Sequence, residues 1–499
     1  MPISFNAIPT TQRTPFVFIE FDNTNAVQGP ALQPYKHLVV GQRLATGTIA
    51  AETPVRVTNA AQGATYFGAG SMLAQMLDAH FKNNTTTETW VIALDDDGAG
   101  QAAAGTITVG GSISAGTIAL YIGGRRIQVG VNTGDTAAEV ATAIAAAITA
   151  KTDLCVTAEV NGETDTQVDI AARHKGVAGN DIDIRHSYYQ GEALPTGMTL
   201  TFSGDGTDGS PTPPWEVAAA TAAVASFHGN IDPARPFQTL PLVGMLPPTQ
   251  AAAGTRLTGG TGNPDTTDIW DALGDEQFNI IAWPYTDTAN LVLLEAELNS
   301  RTGPLRMIEG QAITAAYGTH SELGTLGDSR NNQHLSIMGT GGPFTLQERN
   351  LLLFDGIATY TVNAGGTVQI ERLITTYKLS PQGAEDISYL DLNTLLTLSY
   401  LRYDFRNYIM RKYPRHKLAD DGTRFGLGQK VMTPKLGRAE AIARFRIWEE
   451  LGLVEGAEQF ERDLIVERNI ADPKRMDWYL PPDLVNQFRV GGVQIAFLL

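Results

Sequence analysis

Cysteine is almost absent: Cys155 is the one thiol in 499 residues. No intrachain disulfide can form, two-thiol metal and redox motifs are excluded, and a reducing compartment is expected. Long apolar runs are missing as well. The alanine-rich stretch 137–150 is weakly hydrophobic and falls short of the ~20 residues that cross a bilayer. The opening MPISFNAIP has neither a basic n-region nor an apolar h-region, so no signal peptide is read there. These absences predict a soluble protein made inside the cell, without membrane insertion. Positive charge is scarce too, with 36 Lys plus Arg against 53 Asp plus Glu, a net charge of -17. No fold-wide positive field can collect phosphates, which argues against nucleic acid as a partner.

Catalytic and cofactor patterns are lacking. Eight histidines, scattered from His37 to His416, make no His-Glu-x-x-His and no ligand-spaced pair with a carboxylate, so solvated or locally bonded roles are expected. The glycine-rich stretches GAGS (68–71) and GGTGNPDTTD (259–268) lack the Gly-Lys-Ser/Thr ending that grips phosphate, and no Gly-x-Ser-x-Gly elbow occurs. The acidic clusters at 95–98 and 205–209 lack the spacing of a twelve-residue calcium loop and read as hinge solvation. No catalytic residue, cofactor or metal is expected, and the enzyme class recedes. Catalytic groups far apart in sequence would revive it.

What is present is alternation. LVVG (38–41) and WVIAL (90–94) read as buried strands, with an amphipathic helix over 71–82 between them, the grammar of an α/β layer. From 98 to 206 the texture changes to glycine-punctuated strands around one helix at 136–151. FNIIAWPY, the helix TANLVLLEAELNSRTG and HLSIMGT then resume the α/β layer. A hairpin, IATYTV-NAGG-TVQIERLI, opens the last part. Helices follow over 387–412 and from Pro434 to Leu451, the second with Thr433 as cap and a buried stripe of Leu436, Ala439, Ala443, Ile447 and Leu451. The fold class is α/β (α+β mixed) and multidomain. An N-terminal arm covers 1–22, a discontinuous middle domain 23–97 and 207–350, an inserted β-rich peripheral domain 98–206, a C-terminal domain 351–487 and a C-terminal arm 488–499. Residues 371–499 carry 19 basic and 18 acidic side chains, while the first 370 carry 17 and 35. The last quarter is therefore chemically distinct, densely charged with both signs and suited to contact.

Both ends are strand-like. Phe16, Val17, Phe18 and Ile19 lie in TPFVFIEFDN, and RVGGVQIAFLL has no charge after Arg489. Val493, Ile495 and Phe497 alternate with Gln494 and Ala496, and Gly491 and Gly492 allow a bend before them. Unprotected strand edges must be covered, either within the chain's own sheet or by augmenting the sheet of a neighbouring copy. Repeated head-to-tail contacts of the second kind make rings or filaments.

YLDLNTLLTLSYLRYDFRNYIMRKYPRHKLADDG, TPKLGRAEAIARFRIWEELGLVE, the ending MDWYLPPDLVNQFRVGGVQIAFLL and GVAGNDIDI (176–184) together resemble the tail sheath proteins of contractile-tailed bacteriophages, in their Mu-like branch. The resemblance covers most of the chain and is densest in its last third. It implies a homo-oligomer of hexameric rings stacked helically around a tail tube protein. Arms would complete sheets of neighbours, and the C-terminal domain would face the tube. Contraction would drive the tube through the host envelope. Baseplate and tail terminator proteins would be further partners, and the subunit would assemble in the host cytoplasm into the virion. On this resemblance Lys435, Arg438, Arg444 and Arg446 are candidate tube contacts. The alternative is another structural component of a phage tail or baseplate.

Overall fold

The computed structural model describes residues 33–188, 191–203, 241–242, 254–341, 344–362, 368–426 and 428–497. Phe16 to Ile19 and the turn at 363–366 lie outside the described residues. Two compact units are distinguished, one of Pro34–Leu396 and one containing Thr397–Leu499.

Among the described residues the helices are α1 (Ala61–Phe67), α2 (Met72–Asn83), α3 (Ala137–Thr149), α4 (Ile269–Leu273), α5 (Thr288–Thr302), α6 (His320–Asp328), α7 (Leu346–Phe354), α8 (Leu392–Lys412), α9 (Pro434–Glu450) and α10 (Ala457–Asp463). Local chemistry fixes several starts. Ser71 accepts from Ala74 N–H at the mouth of α2. Thr136 with Glu139, Thr319 with Glu322 and Thr345 with Glu348 form reciprocal capping boxes on α3, α6 and α7, the pairing that a Thr-x-x-Glu spacing encodes.

The larger unit is built on a nine-stranded sheet. Lys36–Gln42 lies parallel between Glu88–Leu94 and Ile280–Ala282, and Gln311–Tyr317, Leu335–Thr340 and Ile357–Val362 continue the parallel order. Antiparallel Val55–Val57 and Val368–Arg372 flank this run. A parallel sheet must be covered on both faces. Val39, Val91 and Ala93 pack with Leu73, Met76 and Leu77 of α2. Leu38, Val40 and Ile92 share the opposite core with Leu291, Leu294 and Leu298 of α5, Leu323 of α6 and Leu352 of α7. The hairpin strands that the sequence assigns to the C-terminal domain extend this sheet instead, and the unit runs on to Leu396.

Residues 102–203 form two four-stranded antiparallel sheets, the second completed by Gly254–Arg256. Val140, Ile144 and Ile148 of α3 join Ile107, Ile118 and Ile170 in their core. That core is continuous with Leu73 and Leu77 of α2, so the β-rich region shares its core with the α/β layer. Arg125 reinforces the seam with ion pairs to Asp78 at 2.9 Å and Asp153 at 2.7 Å.

In the smaller unit, Tyr400 and Leu401 of α8 pack with Ala441, Phe445 and Trp448 of α9 and Phe460 of α10. The Phe445 and Phe460 rings stack at 4.1 Å. Three two-stranded ladders complete it, among them Ile465–Arg468 with Met476–Tyr479. The buried face of α9 differs from the expected stripe. Gly437, Glu440, Ala441, Arg444, Phe445 and Trp448 are buried, while Ala439 and Ala443 are exposed. Two large aromatics bury more apolar area than two alanines and rotate the helix accordingly. Gly437 permits the approach: a Cβ there would stand 2.8 Å from Met476 Cε.

Candidate assembly surfaces

Two polar clusters join α8 to α9. Asp404, wholly buried, accepts both Arg444 Nε and Nη2 and, at 2.7 Å, the Trp448 indole N–H. Arg444 also lies over the Tyr408 ring at 5.1 Å. One turn on, Glu440 accepts from the hydroxyls of Tyr408 and Tyr413 and from Lys412 Nζ. Burial would raise the Glu440 carboxyl, but the hydrogen bonds from Lys412, Tyr408 and Tyr413 outweigh it and hold the group below its ordinary range.

This geometry scatters the four basic residues read as tube contacts. Arg444 is consumed by Asp404 and cannot meet a partner. Arg438 donates to the carbonyls of Glu461 and Leu464 at the end of α10, where helix carbonyls lack internal donors. Arg446 pairs with Glu449 at 3.0 Å on the surface. Lys435 is exposed, and its backbone N–H donates to Asp421 at 2.9 Å. Exposed positive charge collects instead on α8 and the loop after it. Residues 402–435 hold nine Lys or Arg and three acids. Arg406, Arg411, Arg415, Lys417, Arg424 and Lys430 are exposed, and none is ion-paired among the described residues. All three acids are engaged: Asp404 with Arg444, Asp420 with Arg468 at 3.0 Å, and Asp421 with the Lys435 backbone. A run of like-charged, unengaged side chains on one helix and loop creates a local positive field in an otherwise acidic chain.

Val485 N–H still bonds Leu453 O at 3.1 Å beside the Asp483–Leu484 pairing, and from Val490 to Phe497 the backbone has no strand partner among the described residues. Phe488, Val490, Val493, Ile495 and Phe497 are each more than three-quarters exposed, from 78% to 89%. Gly491 and Gly492 sit within this segment, and neither has positive φ. Nearby in sequence, the Ile465–Arg468 and Met476–Tyr479 pair has no third strand among the described residues, and Ile465 and Tyr479 are exposed.

The glycine-rich loops have a structural use. Asn180 donates to Gly260 O at 3.0 Å and accepts from Gly260 N–H at 2.7 Å, while Asn263 accepts from Val177 N–H at 2.9 Å. Asp96 accepts from Gln42 at 2.7 Å and from Lys175 N–H at 3.2 Å. The loops 95–98, 176–180 and 259–263 thus latch one another where the chain enters and leaves the β-rich region. A Cβ at Gly260 would lie 2.4 Å from Gly176 O, which explains the glycine. The two asparagines were legible only as part of GVAGNDIDI and GGTGNPDTTD; their pairing spans about a quarter of the larger unit and has no local signal. Among the described residues no group of three His, Cys, Asp or Glu is placed to hold a metal, and no helix is long and apolar enough to cross a membrane. Cys155 is buried, and burial pushes its thiol up to about 12, so it is inert as a nucleophile.

Comparison with known proteins matches residues 259–342 to the phage tail sheath protein central domain and 384–497 to the phage tail sheath C-terminal domain. The chain is 37% identical over 542 aligned residues to the Mu-like prophage FluMu tail sheath protein of Haemophilus influenzae, with the whole of both chains covered. The sheath tail protein Lin1278 from Listeria innocua is similar over 92% of this chain and 93% of its own, at 12% identity and a TM-score of 0.43.

Proposed function

Because the chain belongs to the phage tail sheath family, in its Mu-like form, we propose that this structural subunit of the virion tail polymerises as helically stacked six-membered rings around a tail tube. Its contraction would drive that tube through the host envelope, with baseplate and terminator proteins meeting the two ends of the polymer.

One observation carries the reading: the apolar, uncharged, unpaired segment from Val490 to Phe497. Exposed on a lone chain, it invites pairing with any open edge. Placed beside the Ile465–Arg468 and Met476–Tyr479 ladder of a neighbouring copy, it gains main-chain hydrogen bonds and covers Val493, Ile495 and Phe497. Gln494 and Ala496 then face the other side, and Gly491 and Gly492 supply the bend. Phe16, Val17, Phe18 and Ile19 are assigned the same kind of role at the other arm. Links of this sort hold while the bodies they join slide past each other. Deleting 493–499 should leave the circular dichroism spectrum unchanged and abolish polymers in sedimentation and electron microscopy. Normal polymers from the shortened chain would end the arm hypothesis.

The tube contact is assigned to the exposed basic residues of α8 and its following loop, with Lys435 and Arg446 at the margin. Solvent-screened contacts of this type set register yet release easily. Reversing Arg406, Arg411 and Arg415 to Glu should lower co-assembly with purified tube at least tenfold at low salt, with tube-free polymers retained. Co-assembly that is unchanged at every salt concentration would remove the assignment.

A further inference from the structure

The first 370 residues carry 35 acidic and 17 basic side chains. Two copies brought together through this part of the chain repel unless they meet on neutral ground. Helices α5 and α7, on the same side of the large sheet, supply such ground. The outward residues of α5 include Ala289, Val292, Leu293 and Ala296, with Thr288, Asn299 and Ser300, and contain no ionisable group. Its charges are turned aside and neutralised: Glu295 pairs with Arg330 at 3.5 Å, and Glu297 with Arg306 at 3.0 Å and Arg301 at 3.6 Å. On α7, Leu346, Leu351 and Phe354 stand 71%, 51% and 73% exposed. The two charges of α7 are also occupied. Glu348 closes the capping box with Thr345, and Arg349 pairs with Glu371 at 2.8 Å.

The two faces differ in shape. That of α5 alternates small alanines with Val292 and Leu293, leaving shallow holes, while that of α7 projects Leu346 and Phe354 as knobs. Knobs entering holes is how helices pack. A face that packs on a different face of the next copy is heterologous, the kind of contact that propagates rather than closing as a dimer.

We propose that α5 of one copy packs against α7 of the next, so that the occupant of each apolar face is a second copy of this chain. The inference rests on the sheath reading, which makes the chain a homopolymer, and adds a contact independent of the arms. Val292 and Leu293 on one face and Leu346, Leu351 and Phe354 on the other leave large apolar side chains in water that a packed neighbour would cover, and the lack of unpaired charge on both faces lets two acidic copies meet there without repulsion.

The test uses the full-length chain. Val292→Glu and Phe354→Glu each place a charge in the contact and should cut the pelletable polymer at least tenfold at fixed concentration, with the wild-type circular dichroism spectrum retained. Val292→Glu combined with Phe354→Lys should restore most of it, because the two new charges meet across the interface. Should either single variant fail to fold, Leu293→Glu and Leu351→Glu replace it on the same faces. Single variants that polymerise like wild type overturn the proposal while leaving the sheath reading intact, and so does a double variant that fails to recover. A wild-type chain that never polymerises removes the premise and the proposal with it.

Discussion

Replacing Asp404 by alanine is expected to cost the folded chain about 3–5 kcal/mol, the range for breaking a buried ion pair from one side. The carboxylate is fully buried and takes three donors, Arg444 Nε, Arg444 Nη2 and Trp448 Nε1. Its removal strands a guanidinium whose side chain is 3% exposed and leaves the indole N–H unpaired, so desolvation of both groups is no longer offset. The double replacement Asp404→Leu with Arg444→Met removes both charges at similar volume. It should be much milder, within about 2 kcal/mol of wild type, since an apolar pair often matches a buried ion pair. Urea unfolding followed by far-ultraviolet circular dichroism separates the two outcomes. A single variant within 1 kcal/mol of wild type, on the scale of an exposed pair, would show that water reaches Arg444. The consequence for function lies in α8, whose outward arginines are held in place because its inward side is bonded to α9.

That pair also marks where the sequence stops being legible. Local signals read well. The Thr136 cap starts the helix expected there, and LVVG and WVIAL are neighbouring buried strands, whereas the helices that Thr319 and Thr345 start were not read although each carries the same Thr-x-x-Glu spacing. The uncharged alternation after Arg489 is visible in the sequence, but the strand expected there is not formed in the single chain, where Val490 to Phe497 is irregular and exposed. The face of α9 was not readable. Arg444 and Glu440 look like surface residues by type, and their burial depends on Asp404 and Tyr408, which lie 40 and 32 residues away. The hairpin Ile357–Val362 and Val368–Arg372 was recognisable from its period, but period 2 reveals a strand and not its neighbour. Its docking beside Leu335–Thr340 moved it out of the domain the sequence assigned. The acidic loop at 95–98 looked like a solvated hinge, yet Asp96 is bonded to Gln42 and Lys175 across the β-rich region.

Mild acid should destabilise the protein well before its carboxylates titrate. His37 and His80 are wholly buried and stack face to face, ring centroids 4.7 Å apart and planes 12° from parallel. His80 meets Thr89 Oγ1 at 2.9 Å and the edge of Phe81 at 4.8 Å, and neither nitrogen of His37 has a hydrogen-bond partner. His174, also buried, has none for either nitrogen. Among the described residues no carboxylate acts on these rings to favour an imidazolium. Burial, with the neighbouring His80 second, holds His37 well below its ordinary value; burial lowers His80 to about 3 and His174 to about 4. In the unfolded chain each titrates near 6.5. The unfolded state therefore binds more protons between about 6.5 and the folded values. Stability is full above 6.5 and falls as pH drops through that window, by about 1.4 kcal/mol per pH unit for each fully coupled histidine. Three such groups predict a loss of roughly 4 kcal/mol between pH 7.5 and 5.5. Lowered carboxyls such as those of Asp287 and Glu440 act in the same direction only nearer pH 4, the ordinary carboxylate range. Denaturant unfolding at half-unit pH steps measures the slope. His174→Leu should lessen it by about a third, because the three groups contribute alike, and His37→Phe with His80→Phe should remove most of the remainder. A stability that stays flat from pH 7.5 to 5.5 in the wild-type chain would mean that the imidazoles take up protons without unfolding, and the buried-neutral account would fall.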